Sequence, residues 1–121
     1  MIAKLRFTLG VAAALTSTIP AQALAHAIVV ASTPAARSTA YGPDLAVEIH
    51  FNSKIDAARS RLTLVGPGGA KIEVGLTKSD SDQVLTGTAS GLAPGDYRLL
   101  WQTLSIDGHI SHGEIPFEVG R

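Results

Sequence analysis

Short runs of alternating apolar and polar residues, each closed by a turn signal, restrict this chain to β-structure. In Ala46–Phe51, Val47, Ile49 and Phe51 share one face while Glu48 and His50 take the other. Arg61–Val65 ends at Gly66-Pro67-Gly68-Gly69, a turn cluster. Lys71–Leu76 alternates again, with Ile72, Val74 and Leu76 in register, and the polar stretch Lys78–Asp82 reads as a loop. Gln83–Thr88, Arg98–Leu104 and Glu114–Val119 complete the set, the last with Ile115, Phe117 and Val119 inward. Pro116 has the opposite parity and suits an edge, where no ladder hydrogen bond is lost. Ile55–Arg61 has room for one helical turn, although Ser, Asp and Arg dominate it. With Ile28–Ser32 as the first, about seven short strands are expected. That is the pattern of an all-β immunoglobulin-like or cupredoxin-like Greek-key sandwich or barrel. Leu92-Ala93-Pro94-Gly95-Asp96-Tyr97 resembles a tyrosine corner, in which a Tyr hydroxyl bonds back to the preceding backbone.

The first 25 residues read differently. Lys4 and Arg6 form a positive start, Phe7–Leu15 is apolar, Pro20 breaks any helix, and Ala23-Leu24-Ala25 supplies small residues for cleavage. The apolar core is shorter than the ~20 residues a bilayer span needs. Residues 1–25 are therefore expected to be a secretory signal peptide, and residues 26–121 one domain that begins at His26. Two of the ten Lys and Arg precede the cut and none of the ten Asp and Glu does, so residues 26–121 carry a formal charge of −2. Such a balance gives no reason to expect nucleic acid or an anionic membrane as partner. The chain has no cysteine, and its one methionine is Met1. Thiolate chemistry is excluded, and the domain must hold together by its core or by a bound metal.

Four histidines follow the cut: His26, His50, His109 and His112. A terminal His26 offers an α-amine and an imidazole nitrogen from one residue, a chelating pair suited to divalent copper, which favours nitrogen and oxygen ligands in a tetragonal arrangement. Taken alone, a chance histidine at a permissive position explains it better. In Ser105-Ile106-Asp107-Gly108-His109, Asp107 and His109 are two apart and project to one side of an extended segment. Gly108 permits a tight turn instead, and a polar loop between the last two strands explains the segment equally well. In an extended chain His112 points away from His109, which makes it an outer-sphere or solvent histidine. His50, with Glu48 on the outer parity of its strand, reads as solvated. Ser105, Asp107 and His109 do not amount to a triad on sequence proximity alone, and no phosphate-binding loop is present.

These residues form an ordered set. It runs from Ala-x-Ala followed by His26-Ala27, through Ser32-Thr33-Pro34-Ala35 and Glu48-Ile49-His50-Phe51, to Gly91-Leu92-x-Pro94-Gly95-x-Tyr97-Arg98-x-x-Trp101. It ends with Ser105-x-Asp107-Gly108-His109-x-x-x-Gly113-x-x-x-Phe117-x-Val119. The set resembles the CopC copper-resistance family of periplasmic copper carriers, over nearly all of residues 26–121. The resemblance implies a β-sandwich that binds Cu(II) through the amine and imidazole of His26, the imidazole of His109 and the carboxylate of Asp107. It also implies a periplasmic location and an inner-membrane CopD-like partner, here a separate protein. Many family members carry a Met-rich Cu(I) loop, which has no counterpart in a mature chain without methionine.

The expectation is a monomeric periplasmic protein, not an enzyme, that buffers copper, confers resistance or delivers the metal. Two other readings stand beside it. One is an oxidative copper enzyme with a histidine brace, whose flat aromatic substrate face has no visible counterpart among six aromatic residues. The other is a metal-free sandwich serving as an interaction module.

Overall fold

The alternating runs become strands in a computed structural model that describes residues 27–121 and, before them, Gly10 alone. The signal peptide, its cleavage after Ala25 and His26 itself lie outside the described residues. The strands are β1 (Val29–Thr33), β2 (Thr39–Tyr41), β3 (Leu45–Phe51), β4 (Ile55–Val65), β5 (Lys71–Glu73), β6 (Gly75–Thr77), β7 (Val84–Ala89), β8 (Gly95–Ser105) and β9 (Ile110–Gly120). A 3-10 turn, Pro67–Gly69, occupies the Gly-Pro-Gly-Gly cluster. Two sheets face each other, one of order β1-β3-β7-β6 and one of order β2-β9-β8-β4-β5. The sandwich is as expected, with nine strands among the described residues rather than about seven, and with two open sheets rather than a closed barrel.

Parity decides what is buried. Val47, Ile49 and Phe51 of β3 face Leu62 and Leu64 of β4, Tyr97, Leu99 and Trp101 of β8, and Ile115, Phe117 and Val119 of β9 in one core. Each such side chain stabilises the fold by roughly 1.5–3 kcal/mol relative to exposure. Phe51 meets Trp101 edge-on, with ring centroids 5.2 Å apart, and so ties the two sheets together. The Tyr97 hydroxyl donates to the Ala93 carbonyl at 2.7 Å, which closes the tyrosine corner.

Three segments depart from the sequence reading. Ile55–Arg61 is strand, not a helical turn: Ile55 and Asp56 pair with Ser105 and Leu104, and pairing resumes at Arg61 opposite Gln102. The residues between bulge outward, and the Ser60 hydroxyl donates to the Asp56 carbonyl at 2.7 Å to close the bulge. Lys71–Leu76 is two strands, because the chain crosses between sheets at Val74, which is buried. A Cβ on Gly87 would lie 2.8 Å from Val74, so only glycine lets the crossing segment approach β7. Third, β9 has neighbours on both sides, yet β2 pairs only with Glu118–Gly120. Pro116 lies before that contact, and its carbonyl accepts from the Arg37 amide at 2.7 Å. Its nitrogen faces the same way, so β9 is locally an edge there and the β8 ladder loses nothing.

Candidate metal centre

The β8–β9 ladder runs to Leu104 opposite Ile110, and the next residues must reverse the chain. The Ser105 amide donates to the His109 carbonyl at 2.8 Å, and the Gly108 amide to the Ser105 carbonyl at 2.9 Å. Gly108 has φ 90°, a conformation open to glycine and costly for other residues. Asp107 and His109 therefore meet across a tight turn, not along an extended strand. His109 Nδ1 lies 3.1 Å from Asp107 Oδ1, and both side chains are about half exposed (50% and 54%), so a solvated ion can reach them.

Ser105 is the pivot of this turn and is itself buried. Its hydroxyl donates to Asp107 Oδ1 and accepts from the His109 amide at 3.2 Å. The Ser105 hydroxyl, and after it the His109 side chain, lower the Asp107 carboxyl from 3.8 to about 2. At neutral pH the Asp107 carboxylate is ionised, so it can accept hydrogen bonds or ligate a cation. Every Asp107 contact falls on Oδ1. That leaves Asp107 Oδ2 and the half-exposed His109 ring to take a ligand.

The start of the described chain is fixed to the same end of the sandwich. The Ala27 amide donates to the Ser111 hydroxyl at 2.9 Å in a buried contact, and Ser111 is the second residue of β9, two residues after His109. The Ile28 amide donates to Asn52 Oδ1 at 2.8 Å, and the Asn52 amide returns a bond to the Ile28 carbonyl at 2.9 Å. His26 is bonded directly to this tethered segment. Among the described residues no group of three or more His, Cys, Asp or Glu could hold a metal, so Asp107 and His109 form a pair that needs ligands from elsewhere.

The other two histidines lie apart from that pair. His50 Nε2 contacts Glu48 Oε1 at 2.7 Å on the outer face of the four-stranded sheet. His112 is exposed opposite Gln102, and buried Ser111 before it has the reverse parity. Sequence reasoning missed the roles of Ser105 and Ser111. A signal existed for Ser111: it is a polar residue on the parity of Ile115, Phe117 and Val119.

The CopC domain model matches residues 29–120. The chain belongs to the CopC family. Copper resistance protein C of Pseudomonas syringae pv. tomato is 31% identical over 110 residues, covering 84% of this chain and 86% of that protein. Copper transport protein CutJ of Bacillus subtilis (strain 168) is 30% identical over 106 residues, and the match spans 85% of this chain but 20% of CutJ. The crystal structure of CopC from Methylosinus trichosporium OB3b has a TM-score of 0.70 at 27% identity, over 78% of this chain and 93% of that one. PcoC, a methionine-rich copper resistance protein from Escherichia coli, has a TM-score of 0.63 at 21% identity and supports the fold alone. No helix among the described residues of this CopC family member is long and apolar enough to cross a membrane.

Proposed function

We propose that the chain is a periplasmic Cu(II)-binding protein, exported with cleavage after Ala25, whose site joins the amine and imidazole of His26 to His109 and Asp107. Copper is its cargo, held for buffering, resistance or delivery, and no catalytic step is assigned to it. The observation that carries this reading is the shared anchorage of the two halves. The Asp107–His109 turn offers one nitrogen and one oxygen, and Ala27, the neighbour of His26, is hydrogen-bonded to Ser111 two residues away on β9. Three nitrogens and one oxygen suit divalent copper. Copper transport and resistance in the names of related proteins support the choice of metal.

The protein acts as a monomer and passes copper to a separate CopD-like inner-membrane partner. The far greater length of CutJ, a copper transport protein, is compatible with a domain of this kind working beside transport machinery. The test is a competitive Cu(II) titration of protein that starts at His26, against a form with one extra N-terminal residue. The extended form should bind far more weakly, because an acylated nitrogen is no longer an amine ligand. Equal affinities refute the terminal site.

A further inference from the structure

We infer that Ser111 is the positioning residue that sets where the N-terminal ligands meet the Asp107–His109 turn. This inference rests on the Cu(II) reading above. On β9, Ile115, Phe117 and Val119 are buried apolar side chains, while Ser111 on the same parity is buried and polar. A buried hydroxyl is costly without a partner. Its partner is the Ala27 amide at 2.9 Å.

That bond has two consequences for a metal. First, it refers both halves of the site to one hairpin, the β8–β9 turn that holds Asp107 and His109 and the first residues of β9. His109 closes the turn two residues before Ser111, so the two are no more than about 7 Å apart along the chain. Second, it occupies the Ala27 N–H. The nitrogen of that amide is the next donor along the chain from a terminal histidine. Directed into the buried Ser111 hydroxyl, it stays out of the coordination shell, and the remaining positions go to His109 and Asp107. Asn52 binds Ile28 one residue further on and secures the start of β1, so it does not duplicate this role.

The experiment uses protein beginning at His26, Cu(II) as the probe, and the variants Ser111→Ala and Ser111→Thr. Loss of an outer partner of this kind weakens metal binding by roughly 10–100-fold. Ser111→Ala should show that loss together with an altered Cu(II) EPR spectrum, as His109 and Asp107 are replaced by other donors. Ser111→Thr, which keeps the hydroxyl, should restore both affinity and spectrum. An unchanged spectrum and affinity in Ser111→Ala, or no recovery in Ser111→Thr, overturns the assignment. Hydrogen exchange in the unaltered metal-free protein needs no variant: the Ala27 amide should be protected, and exchange at the rate of a free peptide overturns the inference. If the unaltered protein binds Cu(II) without the terminal histidine, the functional reading itself fails and this inference with it. If the unaltered protein does use that histidine while Ser111→Ala behaves identically, only the role of Ser111 fails.

Discussion

Replacing Gly113 by Ala should loosen the core where β9 pairs with β8. Gly113 faces Trp101 across the β8–β9 ladder, and the indole lies over the position a side chain would take. An added Cβ would stand 2.7 Å from Cζ2, 2.8 Å from Cε2 and 3.0 Å from Nε1 of Trp101. All three contacts are with one rigid ring. That ring cannot simply retreat, because Phe51 meets it edge-on with centroids 5.2 Å apart and Trp101 is buried. Overpacking of this sort costs about 2 kcal/mol. For a domain of this size that corresponds to a fall in Tm of roughly 8–16 °C. Trp101 is the only tryptophan in the chain, so its fluorescence follows unfolding without a label. The double variant Gly113→Ala with Trp101→Phe should cost less than the sum of its parts, since the smaller ring relieves the overlap. A Gly113→Ala protein as stable as the original refutes the steric reasoning. Strict additivity in the double variant would show that the indole is not the group displaced.

Two further perturbations test the polar groups at the same end. Ser105→Ala should raise the Asp107 carboxyl from about 2 toward 3.8, read from a carboxyl NMR titration of the metal-free protein. The lowered value means that Asp107 stabilises the fold fully above about 3.8 and that this contribution is lost as pH falls through about 2. Thr103→Val should stabilise the protein by about 1 kcal/mol in urea unfolding, because it removes a buried hydroxyl that has no partner among the described residues.

Much of the sandwich was legible because a half-buried strand writes its two faces into alternate residues. Val47, Ile49 and Phe51, Tyr97, Leu99 and Trp101, and Ile115, Phe117 and Val119 all lie inward as their parity required. The crossing at Val74 was not legible. Alternation is the same whether a run stays in one sheet or passes to the other, and the decision rests on contacts with Leu62 and Gly87 far away in sequence. The three-residue β2 is too short to show a period, and its parallel pairing with β9 is a tertiary choice. The outward bulge of β4 hid a strand, because its exposed residues carry no apolar alternation.

For the site, spacing marked Asp107 and His109 as neighbours but left open whether an extended segment or a turn at Gly108 brings them together. The turn at Gly108 joins them, and it is Ser105 that orients the carboxylate. Ser111 could be noticed only as a misfit of polarity, since its partner Ala27 is 84 residues away. The N-terminal half of the proposed shell depends on processing, which is a property of the cell's export machinery as well as of the chain.

The most direct test of the copper site is the EPR spectrum of Cu(II) bound to protein recovered after export, with its mass measured on the same sample. The account predicts a chain beginning at His26, a tetragonal centre with three nitrogens and one oxygen, and one nitrogen fewer in His109→Ala. A chain beginning elsewhere, or a His109→Ala spectrum identical to that of the unaltered protein, would contradict it.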